Sequence, residues 1–117
     1  MDSSRKAALT EAGINVDDAL ERFMGNEMLL ERFWKKFGTD KSFADLLDSV
    51  NRGDRETALR AAHTLKGVSG SLGFQELQHA SQRTVDLIRA GDWEGAVGSV
   101  PEVRRLYARV CSALGLV

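Results

Sequence analysis

One stretch of the sequence concentrates side chains that can do chemistry: Ala62-His63-Thr64-Leu65-Lys66-Gly67-Val68-Ser69-Gly70-Ser71-Leu72-Gly73. At about 100° per helical residue, Ala58, Ala61, Leu65, Val68 and Leu72 fall on the side opposite His63, so the imidazole points away from the apolar stripe. Lys66, Gly67 and Gly70 share its face, one to two turns on. Each glycine costs roughly 1 kcal/mol of helix propensity relative to alanine, so the pair asks for a reason. Two reasons are open. The glycines clear space for a bulky group approaching a ring nitrogen, or they let a neighbouring helix come close.

An unobstructed imidazole beside an ammonium suits a nucleophile that accepts a phosphoryl group: neutral nitrogen attacks phosphorus, and Lys66 offsets the negative charge of the product's oxygens. A hydrolase would need a partnered base, oxyanion donors or a metal. The sequence has no Gly-x-Ser-x-Gly elbow, no His-Glu-x-x-His pair and no phosphate-binding glycine-rich loop, so nothing points to ATP binding. His79 has neither an adjacent lysine nor clearing glycines and is expected at the surface or a helix boundary.

The elements that must position His63 are helical. Residues 4–12 predict a short helix or arm closed at Gly13, and Asp17 is placed to cap the helix carrying Ala19, Leu20 and Phe23. Leu29, Leu30, Phe33, Trp34 and Phe37, then Phe43, Leu46, Leu47 and Val50, recur every three to four residues, giving one bent helix or two short ones over 27–50. Asp54 caps the histidine helix, which ends at Gly73. Leu77, Ala80, Thr84, Leu87 and Ile88 mark the next, to Gly91, and Asp92 opens the last, in which Pro101 predicts a kink or a junction. Phe23 is expected in the core, and Cys111 as a small buried hydrophobe.

Such stripes can hide only against one another. The expected fold is all-α, an up-down four-helix bundle with a short additional N-terminal helix covering one end, divided as 1–13 for the arm or short helix and 14–117 for the bundle. The 117 residues leave no room for a second domain. Sixteen Lys and Arg against seventeen Asp and Glu give a net charge of -1, which argues against nucleic acid as partner. One cysteine excludes an internal disulfide framework, and with two histidines it gives no zinc-site pattern. No export signal or membrane-spanning run is visible. A cytoplasmic monomer without a cofactor or metal of its own is expected.

His63-Thr64-Leu65-Lys66-Gly67 followed by Gly73 resembles the signature of histidine-containing phosphotransfer (HPt) domains, the helical intermediates of two-component phosphorelays. The resemblance extends over roughly residues 14–112. It includes Ala19-Leu20-Glu21-Arg22-Phe23-Met24-Gly25-Asn26, Phe33 and Phe37, and the Arg52-Gly53-Asp54 turn. It implies that His63 is the phosphoacceptor, Lys66 the adjacent charge stabiliser and Gly67 the small residue that exposes the ring. The sequence departs from the family at Val85, where an acidic or amide side chain often orients the inner ring nitrogen. Gln82 is the expected substitute, ahead of Gln78 and Asp86.

The implied partners are receiver domains, including those of hybrid sensor kinases, with Mg²⁺ held by the receiver. The implied role is that of a phosphoryl carrier without autokinase or ATP-binding activity. Leu59 is expected to offer a partner its apolar contact beside His63, with Arg60 and Thr64 as a polar rim. The alternative is a helical module that docks on a receiver or sensor kinase and carries no phosphate.

Overall fold

Short polar side chains start most of the helices. In the computed structural model, which describes residues 1–116, Asp2 accepts from the Arg5 amide to open α1 (Ser3–Glu11), and Asn15 from the Asp18 amide to open α2 (Val16–Arg22). Asn26 opens α3 (Glu27–Lys36), Asp54 α5 (Arg55–Ser71) and Asp92 α7 (Trp93–Leu114), each through the amide three residues on. These acceptors satisfy amides that have no intrahelical partner. α4 (Ser42–Asn51) follows an Asp40 that accepts from the Ser42 amide, and α6 (Gln75–Arg89) begins without a side-chain cap.

Two expectations change here. Asn15, rather than Asp17, caps α2; Asp17 lies in its first turn, 2.8 Å from the Lys6 ammonium. Of the kink or junction expected at Pro101, the junction falls, since α7 runs as one helix from Trp93 to Leu114. Proline withdraws the bond to the Val97 carbonyl, and both Val97 and Pro101 lie on the exposed side of the helix, so that carbonyl stays within reach of water. Residues 27–50 resolve into two helices, separated by a 3₁₀ turn over Phe37–Thr39.

The helices stack up and down, α5 between α4 and α6 and α7 against α6, while α1 packs on α7 and α2. Leu46, Leu65, Leu77, Val85, Val103 and Val110 are fully buried between them, together with Trp34 and Phe37 from the end of α3. Leu9 of α1 is also fully buried in this core, so the segment expected as an arm or short helix is a docked helix. The bundle expected over 14–117 ends at Val117, which lies outside the described residues. Among the described residues no helix is long and apolar enough to cross a membrane.

Two cross-links hold the C-terminal end of the histidine helix. The buried Trp34 indole donates to the Leu72 carbonyl at 2.9 Å, tying α3 to the last turn of α5. Beyond it, the Asn15 amide donates to the Gly73 carbonyl at 2.7 Å, and Ile14 pairs with Phe74 in an isolated antiparallel bridge. Gly73 has φ 81°, and a Cβ there would stand 2.7 Å from the Asn15 carbonyl oxygen. Only glycine meets both demands.

Candidate functional site

α5 is well formed, capped by Asp54, whose carboxylate accepts from the Thr57 amide at 3.1 Å and its hydroxyl at 2.7 Å. Those hydrogen bonds, with Arg52 and Arg60 nearby, hold the Asp54 carboxyl below the usual carboxylate range and keep the cap charged at neutral pH. Ala58, Ala61, Ala62 and Leu65 bury the far side of the helix. His63 is exposed on the near side, as its angular position predicts.

Viewed down α5, the environment of His63 differs left from right. Gly67, Ser71 and Thr64 lie about 40–100° to one side, and Lys66 and Ala62 about 60–100° to the other. The first side is the wall of an open groove of about 870 Å³, whose opposite wall comes from Phe23 at the end of α2, from Phe33 and Lys36 of α3, and from Lys41 before α4. The second side faces α6. His63 stands on the crest between them.

The glycines divide accordingly. A Cβ on Gly67 would meet nothing within 4 Å, so the space one turn from the imidazole is open. Gly70 is buried, and a Cβ there would stand 2.8 Å from Gln78 Nε2 and 3.1 Å from its Cδ. Of the two reasons open for these glycines, Gly67 leaves room beside His63 and Gly70 admits α6. Gly70, unlike Gly67, thus stands against a side chain of α6.

Gln82 does not reach the imidazole. With Gly70 against Gln78, one turn back along α5 and one turn on along antiparallel α6 set Lys66 level with Gln82, and Ala62 level with Asp86. Gln82 Nε2 donates to the Asp86 carboxylate at 2.8 Å. Val85 is fully buried and belongs to the core. Among the described residues no hydrogen bond joins Gln82 to His63, and the bond to Asp86 uses the Gln82 amide nitrogen and leaves its oxygen as an acceptor.

Lys66 is half-buried, and among the described residues no carboxylate forms an ion pair with it. Thr64 is exposed and shares the groove wall with His63. Arg60 is exposed, 3.4 Å from Glu56, and lines with Thr64 a smaller groove toward Lys41 and Asp45. Leu59 is half-buried against the core and lines neither groove; at about 40° from His63 it leans to the α6 side.

The groove's opposite wall is the part that sequence reasoning missed. Phe23, expected in the core, is half-buried at the groove and meets Phe33 edge-on with ring centroids 5.3 Å apart. Phe33 is 43 % exposed. A signal for this was present: Leu29, Leu30, Phe33, Trp34 and Phe37 span about 140° of helix, more than the buried trio Leu30, Trp34 and Phe37 occupies, and Phe33 lies off the trio's edge. His79 is exposed and Cys111 buried, as expected. Among the described residues no three His, Cys, Asp or Glu side chains cluster as metal ligands.

Searches among curated proteins and among solved structures gave no significant match. The family model described as Hpt domain does match, over residues 29–113, a span that holds α5 and the crest on which His63 stands. The chain thus belongs to the Hpt domain family, phosphoryl carriers that work in phosphorelays by histidine-to-aspartate transfer with receiver domains.

Proposed function

We propose that His63 is the phosphoacceptor of this Hpt domain, taking a phosphoryl group from an aspartyl phosphate of one receiver domain and passing it to an aspartate of another. The lone pair of neutral Nε2 attacks phosphorus in line with the leaving oxygen. The N–P bond forms as the bond to the aspartyl carboxylate breaks, and the carboxylate departs with the electron pair while the proton stays on Nδ1. Lys66, one turn along, offsets the charge of the three phosphoryl oxygens. Loading the second receiver is the same step reversed. The Mg²⁺ that assists belongs to the receiver's site.

The observation that carries this reading is the combination on one helix face: an exposed imidazole, open space over Gly67 and a lysine that, among the described residues, no carboxylate pairs. An approaching phosphoryl group meets no side chain at Gly67 and has the Lys66 ammonium on its other side. Exchange between receivers in the cytoplasm by a monomer, with a hybrid sensor kinase as one source, is the setting that the reading implies.

The test is phosphorus NMR and site mapping after incubation with a phosphorylated receiver. The expected result is a stoichiometric adduct on His63, labile to acid and stable to base, and none on His63→Gln. A His63→Gln protein that still passes phosphate between two receivers would overturn the assignment in favour of a docking module that carries none.

A further inference from the structure

The opposite wall of the groove carries a charge pattern that the chain's overall balance hides. Seven of the sixteen lysines and arginines, Arg5, Lys6, Arg22, Arg52, Arg60, Arg105 and Arg109, lie within 4 Å of a carboxylate. The other nine form no ion pair among the described residues, and four of those nine stand together on the wall across from His63. Lys36 and Lys41 line the groove with the imidazole, and Arg32 and Lys35 line a second groove of about 530 Å³ on the outer side of Phe33. None of the four forms an ion pair among the described residues. Among the described residues the His63 groove has one carboxylate, Asp40, whose Oδ1 accepts from both the amide and the hydroxyl of Ser42, so that Lys36 and Lys41 leave the groove with an excess of positive charge.

Between the two grooves Phe33 forms an exposed apolar ridge, with the Lys36 ammonium 5.8 Å from its ring centroid. An apolar anchor edged by unneutralised cations is the complement of a surface that is apolar at its centre and anionic around it. The face of a receiver bearing aspartyl phosphate is anionic, since the phosphoryl group is itself anionic and carboxylates surround the Mg²⁺ that it needs, and the cations of this wall complement it.

We propose that Lys36 and Lys41, with Phe33 as apolar anchor, form a docking rim that reads the anionic face of a phosphorylated receiver and sets the productive encounter with His63. This rests on the reading of His63 as phosphoacceptor. The two lysines act on encounter and orientation, while Lys66 acts on the transferred group. They therefore govern the receiver concentration needed for half-maximal transfer and its salt dependence, and leave the transfer rate within the docked pair unchanged.

The test uses the full chain and a panel of receiver domains from the source organism, charged with acetyl phosphate and Mg²⁺. Single-turnover loading is followed with the receiver that loads the wild type fastest, across receiver concentration and at low and high salt. For Lys36→Glu/Lys41→Glu the half-saturating concentration rises about tenfold or more at low salt, the gap narrows at high salt, and the saturating rate stays within about twofold of wild type. Arg83→Glu/Arg89→Glu, which changes two exposed cations of α6 and the net charge by the same amount, is the control and stays near wild type.

Equal half-saturation in the lysine double variant and the control overturns the proposal. So does a fall in the saturating rate alone, or a change in self-association in place of receiver binding. If the wild type takes up no phosphate from any charged receiver, the assignment of His63 falls and this inference with it. If it does and the lysine double variant matches it, only the docking rim falls.

Discussion

Replacing Gly67 with alanine should make the protein more stable, and enlarging it further should make it a worse phosphoryl carrier. Gly67 has ordinary helical φ, and its missing Cβ would meet nothing within 4 Å, so nothing inside the folded chain requires glycine there. Alanine relieves a helix-interior glycine by about 0.5–1 kcal/mol, which for a chain of this length raises Tm by about 2–5 °C. Leucine at the same position projects into the open space one turn from His63, about 40° around the helix. A displacement of about 1 Å in the approach of phosphorus to Nε2 is worth on the order of 10²-fold in rate, so Gly67→Leu should slow loading by about that factor. Thermal melts by circular dichroism and single-turnover loading from a charged receiver read the two arms. Gly70→Ala is the contrast: its Cβ would stand 2.8 Å from Gln78 Nε2, so Gln78 must swing away and the propensity gain is offset, with loading unaffected. A lower Tm for Gly67→Ala, or loading of Gly67→Leu at the wild-type rate, would refute the view that this glycine serves an incoming group.

Two further outcomes test the frame behind the site. Trp34→Phe keeps a ring in the core but removes the donor to the Leu72 carbonyl, and urea unfolding should show a loss of about 2–4 kcal/mol, from a buried acceptor left unsatisfied and the volume vacated; a loss below about 0.5 kcal/mol would show that the indole does not hold the end of α5. Tyr107, the chain's one tyrosine, is pushed from its ordinary 10 to about 12, chiefly by burial, with the Cys111 side chain adding to the shift. Its contribution to stability is therefore full below pH 10 and lost as pH rises through about 12, because the unfolded chain releases the proton first. Tyrosinate absorbance with a midpoint near 10 in the folded protein would contradict that.

Much of the fold was legible because the signals are local. Apolar residues every three to four positions, with Asp54 and Asp92 at the right offsets, describe helices that do not depend on their neighbours to be recognised. The misread details depend on distant partners. Asn15 and Asp17 are both competent caps two residues apart, and the choice falls to Asn15 because its amide is held by the Gly73 carbonyl on another turn of the chain. Pro101 is tolerated because Val97, whose carbonyl it frees, faces outward, and that orientation is set by which side of α7 packs on α6. A sequence carries the period of a helix, while the side to which it turns a given carbonyl comes from packing.

The same boundary divides the site. Angles within α5 are fixed by helical geometry, so the exposure of His63 and the presence of Gly67 and Lys66 near it followed from counting. Whether a residue at a known angle meets solvent, a groove or another helix depends on the azimuth of the neighbouring helices. Leu59 and Gly70 lie within about 40° of His63, yet one packs on the core and the other on Gln78, because α6 closes over that side. Gln82 is drawn to Asp86 for the same reason. Phe23 and Phe33 stay outside the core because the end of α3 is anchored by Trp34 through Leu72, which turns Leu30, Trp34 and Phe37 inward and leaves Phe33 at the rim. Burial of Leu30, Trp34 and Phe37, with the Trp34 hydrogen bond added, thus fixes which side of α3 faces His63, so residues more than 25 positions from the histidine in sequence become part of its surroundings.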